Sequence, residues 1–246
     1  MRPTEFVPSP AIPARETFSI GSAISRSVAV WGKNLPFFFA VSVVAYIPML
    51  LLSPAIPTSA NGWGLYLLGF VISMVLAYVV TGLMTYSVLE QLRGRSPSAS
   101  ASISYGLSRA GPLLAAAIFT GLMIGAGMLL LVIPGIILAV RWALISPVVI
   151  AERNVDPRAR SAELTAGHRW ALFGLLLLLG IAGGALGAIA RLIVGQSTTF
   201  VSQLLGQTLP QALVLSFSAV LYGVIYYQLR SEKEGIDIEQ LTAVFR

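Results

Sequence analysis

The sequence predicts an all-α, polytopic membrane protein whose six transmembrane helices form three hairpins with interfacial helices at the cytoplasmic surface. Three observations support this fold class. The 246 residues are 56% hydrophobic and only 11% charged, whereas soluble domains carry roughly 25% charged residues. The apolar residues form six stretches of about 20 residues, the length that crosses a bilayer. Most of the basic residues flank these stretches on one side.

The six apolar stretches define a transmembrane domain over residues 18–230. A flexible N-terminal segment (1–17) precedes it, and a cytoplasmic C-terminal tail (231–246) follows it. The first residues lack the apolar run of a secretory signal, so we expect the N-terminus to stay in the cytoplasm. The predicted spans cover residues 35–56, 64–89, 112–133, 135–151, 170–194 and 210–229.

Pro134 and Gly135 separate the third span from the fourth. As one helix, the two spans would be far longer than the bilayer is thick. Proline removes a backbone donor and glycine tolerates a chain reversal. These residues therefore favour a tight hairpin over the alternative, a long kinked helix. Pro48 and Pro147 lie inside the first and fourth spans, and we expect them to kink those helices.

The charges predict the orientation. Fourteen of the 16 Lys and Arg residues flank the spans on one side, and the ten Asp and Glu residues fall on that side too. By the positive-inside rule, both termini are cytoplasmic. The two remaining basic residues are Arg191, near the outer face, and Arg141, within the fourth span. The outer face is therefore nearly free of charge.

A weak internal repeat divides the chain into three parts. A stretch of small and polar residues with a basic residue precedes the first, third and fifth spans, and each even span ends in a polar segment. This pattern favours three copies of an interfacial helix followed by a transmembrane hairpin. The alternative is that any membrane hairpin needs polar, basic flanks.

Small residues recur at intervals of four in the third and fifth spans. This spacing lets helix backbones approach closely. We expect packing inside the bundle, and the alternative is dimerisation through the fifth span. The GxxxG pairs are Gly121/Gly125, Gly180/Gly184 and Gly183/Gly187.

The sequence contains no recognisable catalytic or metal-binding motif. Cysteine is absent, which excludes thiol nucleophiles and Cys-ligated metals. The spans carry no carboxylate, and the single histidine, His168, lies beside Arg169 at a helix entrance, where interfacial anchoring explains it better than catalysis. The chain also lacks a soluble basic domain for nucleic acid. We therefore predict a protein that is not an enzyme, with no cofactor and no metal.

Arg141 is the one charged residue well inside a span. A hairpin at Pro134 places it about two turns from the outer surface, where a charge costs about 2.5 kcal/mol or more unless it is paired or snorkels. Two interpretations stay open: outward snorkelling beside Trp142, or a site for an anionic headgroup or a helix-end carbonyl. No acidic partner is expected on that side. Arg169 is a further candidate for lipid binding.

The segment LLLVIPGIILAVRWALISPVVIAE, followed by RSAELTAGHRWALFG, resembles the signature of the membrane domain found beside bacterial glycerophosphoryl diester phosphodiesterases. It is also similar to the YciC-like inner-membrane proteins of unknown function. The resemblance implies a six-helix bacterial inner-membrane protein. It does not imply phosphodiesterase activity, because that catalytic domain needs paired histidines. The matching residues are Ile133, Pro134, Gly135, Arg141, Pro147, Glu152, Leu164, Thr165, Gly167 and Trp170.

The main functional hypothesis is a non-catalytic inner-membrane protein that binds or organises lipids, with anionic lipids as preferred partners and a role in envelope homeostasis. The first alternative is a subunit or assembly factor of a larger membrane complex, with a membrane-protein partner or a second copy of the chain. The second alternative is a passive transporter or channel, which predicts a continuous polar cavity.

Overall fold

The computed structural model describes residues 18–52, 60–95, 97–195 and 199–234 of the chain. Within these ranges the regular structure is helical, with no strand. The predicted N-terminal segment lies outside the described residues, and so does the tail except for 231–234. Those four residues belong to the last helix and not to a separate tail.

Six helical segments within the described residues are long and apolar enough to cross a membrane, which confirms the predicted all-α fold with six candidate transmembrane helices. The third and fourth segments meet at Leu131, and the sixth contains a π-helical stretch, Leu204–Thr208. A short helix precedes each of the first, third and fifth segments. The helices are α1 (Ile20–Lys33), α2 (Leu35–Leu52), α3 (Ala60–Leu92), α4 (Ala99–Ser108), α5 (Ala110–Leu130), α6 (Val132–Arg141), α7 (Ile145–Ala151), α8 (Pro157–Leu164), α9 (Arg169–Val194), α10 (Phe200–Gln203) and α11 (Leu209–Glu234).

Helix α11 lies at the centre of the bundle, where it packs against α1, α2, α3 and α9. Buried apolar residues on either side of it form two clusters. One contains Phe38, Met84 and Val220 and joins α2 and α3 to α11. The other contains Leu144 and Leu164 and joins α5–α9 to α11. Large apolar side chains elsewhere stay exposed on the bundle surface, as expected where lipid is the solvent.

The chain reverses at Leu131 and not at Pro134–Gly135. Leu131 has extended backbone angles (φ −159°, ψ 132°). Pro134 lies in the first turn of α6, where its missing N–H costs no hydrogen bond. A Cβ on Gly135 would lie 2.5 Å from Met128 Cγ, so this glycine allows α6 to pack closely against α5. Such packing does not fit one long kinked helix.

The fourth span is not a continuous helix. Helix α6 ends at Arg141, a turn covers residues 142–144, and α7 begins at Ile145. Pro147 therefore lies in the first turn of α7, where the absence of an N–H is tolerated. The prediction of a proline kink within one helix is wrong at this position, because the helix has already ended three residues before α7 starts.

Candidate functional site

Helix α8 packs against the break between α6 and α7. Ser161 Oγ donates to the Arg141 carbonyl (2.8 Å) and accepts from the Leu144 N–H (3.2 Å). Thr165 Oγ1 lies 3.4 Å from the same carbonyl, but its shorter hydrogen bond, at 2.9 Å, is to the Ser161 carbonyl. Ser161 and Thr165 are fully buried. The Ser161 hydroxyl therefore satisfies backbone groups that the interrupted helix leaves without partners.

Arg141 is the last residue of α6. The ten residues of α6 place it about 14 Å from the turn at Leu131, at 1.5 Å per residue. The shift of the turn from Pro134 to Leu131 makes this distance longer than the sequence predicted. The backbone of Arg141 contacts α8, the helix that carries Arg158 and Arg160.

The guanidinium of Arg141 has no hydrogen-bond or ion-pair partner among the described residues. The side chain is half-buried, and its Nε is buried without a hydrogen-bond partner. No carboxylate among the described residues forms an ion pair with it. A buried donor without a partner costs about 1–3 kcal/mol, and more for a charged group. The Nη groups are not among the buried atoms, so they are the donors that an anion or carbonyl acceptor from outside the chain can reach.

Trp142 connects this region to a second arginine. Its ring lies beside Phe119 of α5, with 6.1 Å between the centroids. The guanidinium carbon of Arg158 lies 4.6 Å from the centroid of the same Phe119 ring, a cation–π distance. Arg158 also donates to Asp156 Oδ1 at 3.1 Å, and this hydrogen bond lowers the pKa of that carboxyl.

Arg169 lies at the start of α9, where its Nη2 donates to the Ala162 carbonyl at 3.4 Å. Ala162 follows Ser161, the residue that binds the Arg141 carbonyl. Two of the predicted candidates, Arg141 and Arg169, therefore contact consecutive residues of α8. The next side chain, Trp170, is 85% exposed, as is typical of residues that anchor a helix at a membrane surface.

Sequence reasoning missed a cluster of charges at the end of the bundle where α7, α8 and α11 meet. The ion-pair cluster consists of Glu152, Arg160, Arg230 and Glu234. Arg160 Nε lies 3.0 Å from Glu152 Oε2, and Arg230 Nε lies 2.8 Å from Glu234 Oε2. Arg160 also binds Glu234 directly, and Tyr226 donates to Glu152 Oε1 at 2.7 Å.

The ion-pair cluster has little capacity to bind an external anion. Its two arginines face two glutamates, and Arg160 also contacts Glu163 at 3.1 Å. The Glu152 side chain is only 10% exposed and that of Arg160 17%. The alternating charges in ERNVDPRARSAE and RSEKE were the available sequence signal, but sequence alone does not show that these two segments meet. We call this part of the bundle the charged end.

His168 occupies a structural position at the charged end. Its Nε2 lies 3.2 Å from Glu232 Oε1, and its ring contacts that of Phe18 edge to face at 5.1 Å. The backbone N–H of Phe18 donates to Glu232 Oε2 at 2.7 Å. His168 therefore links the start of α9 to the end of α11 and to Phe18, two residues before α1.

The predicted glycine contacts are divided between two environments. A Cβ on Gly183 would lie 3.2 Å from Val214 Cγ1, so Gly183 lies at a contact between α9 and α11. The other positions face open space, with no described atom near a built Cβ. These are Gly121, Gly125, Gly180, Gly184 and Gly187.

Comparison with protein-family models, curated proteins and solved structures gives no match. The resemblance to the membrane domain found beside phosphodiesterases therefore stays a prediction.

Proposed function

We propose that this chain is a non-catalytic protein of the bacterial inner membrane that binds anionic lipid headgroups at Arg141, and that it organises lipids for envelope homeostasis. One observation carries the proposal: Arg141 is half-buried at the break in the fourth span, with a buried Nε that no described residue satisfies. The nearby arginines Arg158 and Arg160 have carboxylate partners.

An anionic lipid suits the chemistry of this position. A guanidinium binds phosphate through two parallel hydrogen bonds, with charge-assisted strength. Trp142 and Phe119 add an aromatic surface for the apolar part of the headgroup region. Beyond these rings, the exposed apolar side chains of α5 and α6 provide a surface for the acyl chains of the same lipid. A free inorganic anion would use the arginine but not these surfaces.

The distribution of basic residues supports the orientation in the proposal. The charged end carries the exposed Arg153 and Arg169 and, by the positive-inside rule, faces the cytoplasm with both termini. Basic residues close to an anionic leaflet contribute about 1 kcal/mol each to attraction. A lipid phosphate would thus be concentrated at the charged end. Helix α8 lies at this end and contacts the backbone of Arg141.

The test is lipid retention by the purified full chain in bilayer nanodiscs that contain equal parts phosphatidylglycerol and phosphatidylcholine. We expect the wild-type chain, extracted from the discs, to retain phosphatidylglycerol preferentially. Arg141→Leu should lower that preference about tenfold, since it removes the buried half of a charge pair, and Arg141→Lys should keep part of it.

The matched control is Arg153→Leu, which removes an exposed arginine without an ion-pair partner among the described residues. It should leave the preference nearly unchanged. Equal retention of the two lipids by the wild-type chain would refute the proposal, as would equal losses from Arg141→Leu and Arg153→Leu. Far-UV circular dichroism of each variant checks that it is folded.

A second candidate function is that of a subunit or assembly factor in a larger membrane complex. The glycines of α5 and α9 that face open space support it, because small residues at this spacing allow another helix to approach closely. Affinity purification in a mild detergent separates the two functions. A stoichiometric co-purifying protein favours the subunit role, and recovery of the chain with lipid alone favours the lipid role.

A further inference from the structure

The end of the bundle opposite to the charged end contains a cavity of about 440 Å³ between α2, α3 and the region where α10 becomes α11. This volume is within the range of small-molecule sites in proteins, roughly 300–1,000 Å³. The lining residues are Tyr46, Met49, Leu50, Tyr66, Phe70, Ser73, Met74, Ala77, Gln203, Gln207, Thr208 and Gln211, and we call the space the glutamine cavity.

Three glutamines line one wall of the cavity at intervals of four residues: Gln203, Gln207 and Gln211. None of their carboxamides hydrogen bonds to a described residue. These residues lie in a segment that is long and apolar enough to span the membrane. Within a hydrocarbon environment a polar group without a partner is costly. Three of them together indicate that the chain keeps hydrogen-bonding capacity for something that enters the cavity.

The backbone of this wall has an unusual conformation. Residues Leu204–Thr208 form a π-helix within the sixth span, and such segments occur frequently at functional sites. The wider turn changes the direction of side chains relative to an α-helix, and here it carries both Gln207 and Thr208 toward the cavity. The local distortion and the unpaired amides therefore occur at the same place.

The opposite wall is also shaped by an interruption of helix hydrogen bonding. Pro48 lies inside α2, and the N–H of the next residue, Met49, donates to Ser73 Oγ of α3 at 3.2 Å. Ser73 thus uses its oxygen as an acceptor and keeps its O–H as a donor. Tyr46 and Tyr66 add phenol groups to the same wall.

The cavity does not continue as a polar path toward the charged end. Its lining stops at Ala77 on α3 and Gln211 on α11. The next turns of these helices contribute Val80, Met84 and Val220 to a buried apolar cluster. In this conformation the cavity therefore has the form of a binding site and not of a channel.

The composition of the lining restricts the ligand. It contains no Asp, Glu, Lys, Arg or His, so an ion would lose its hydration without a compensating charge. Carboxamides offer a donor and an acceptor side by side, which matches neighbouring hydroxyl groups on one molecule. Phe70, Met49 and Met74 provide an apolar surface for the C–H faces between those hydroxyls.

We propose that the glutamine cavity binds an uncharged polyhydroxylated group, a sugar or glycerol-like moiety, through the carboxamides of Gln203, Gln207 and Gln211. The group can come from two sources: the headgroup of a neutral glycolipid or a free sugar. This site is separate from Arg141 and does not depend on the lipid function proposed for that residue.

The test measures binding to the purified full chain in a zwitterionic detergent without a sugar headgroup, because maltoside and glucoside detergents would compete for the cavity. The probes are monoglucosyl diacylglycerol in mixed micelles, free glucose, and phosphatidylcholine as the lipid without a polyol. Ligands that bind the folded state raise its thermal unfolding temperature. We expect a dose-dependent rise with the glycolipid or with glucose, and none with phosphatidylcholine.

The test variant replaces all three glutamines by Met, which has a similar length but no amide. It should bind the glucose-bearing probe at least about tenfold more weakly, since several hydrogen bonds are lost together. The control Leu205→Ala changes an exposed residue of the same π-helix that does not line the cavity, and it should bind as the wild-type chain does.

The outcomes distinguish the sources and the proposals. Binding of the glycolipid alone identifies a headgroup that enters with its lipid, and binding of glucose as well identifies a soluble sugar. Absence of any shift in the folded wild-type chain overturns the inference, and so does equal binding by the triple variant. Arg141→Leu should bind the glucose-bearing probe normally, so that failure of the Arg141 proposal leaves this result unaffected.

Discussion

The two ends of the bundle differ in how their main groups of polar side chains are paired. At the charged end, Arg160 and Arg230 face Glu152 and Glu234, and a tyrosine hydroxyl completes the network. At the other end, three glutamine amides face a cavity without any described partner. Paired groups hold helices together, whereas unpaired groups keep their hydrogen bonds available. The comparison therefore distinguishes polar groups that stabilise the fold from polar groups that are available to bind a ligand.

Arg141 follows the pattern of the cavity although it lies closer to the charged end. Its carbonyl is fixed by Ser161 of α8, while its guanidinium has no described partner. The backbone is thus held in place and the charged group is left available. At both proposed sites, the side-chain groups proposed to bind the ligand have no partner among the described residues.

The largest expected effect comes from breaking the ion-pair cluster. Arg160→Leu would leave the mostly buried Glu152 without its closest cation, and removing one member of such a pair costs about 3 kcal/mol or more. Unfolding of the purified chain by titration with sodium dodecyl sulfate should show a clearly lower midpoint. The exposed Arg153→Leu should shift the midpoint by no more than about 0.5 kcal/mol. Similar midpoints for the two variants would contradict a structural role of the cluster.

A smaller effect is expected where α5 and α6 meet. Gly135→Ala would place a Cβ 2.5 Å from Met128 Cγ and 2.7 Å from its backbone nitrogen. The backbone cannot move away easily, so we expect a loss of about 1–3 kcal/mol in unfolding free energy. The measurement is the same detergent titration.

Gly125→Ala is the matched control for this contact. No described atom lies near its built Cβ, and alanine favours a helix over glycine by up to about 1 kcal/mol. It should therefore be neutral or stabilising in the isolated chain. A loss as large as that of Gly135→Ala would instead mean that Gly125 lies in a contact between chains, which cross-linking at two protein concentrations would reveal.

The fold was predictable because its main signals are local. Apolar stretches of sufficient length identified six spans, and their ends agree with the helices to within a few residues at Gly64–Leu92 and Arg169–Val194. The turn at Leu131 was misplaced by three residues. Pro134 and Gly135 suggested a reversal, but proline is equally compatible with the first turn of a helix.

The sites were less predictable because they depend on contacts between distant segments. Arg141 was recognisable as a charge within a span, but its contact with α8 arises from a break at residues 142–144 that carries neither Pro nor Gly. The glutamines were visible in the sequence as a run with a spacing of four. Only the packing of α2 and α3 shows that they face a cavity and not another helix.

The smallest predicted effect concerns the unfolding free energy of the chain without ligand. Its sign is opposite to that of the effect expected from breaking the ion-pair cluster. Gln207→Met removes an amide without a described partner from a membrane-spanning segment, so the folded state should lose nothing and can gain up to about 1 kcal/mol. The detergent titration should show an equal or higher midpoint in the absence of ligand. A clearly lower midpoint would show that Gln207 supports the fold, and the contrast between the two ends of the bundle would then be wrong. A maintained or raised midpoint together with weaker binding of the glucose-bearing probe is the combination expected of a residue kept for its ligand at the expense of stability.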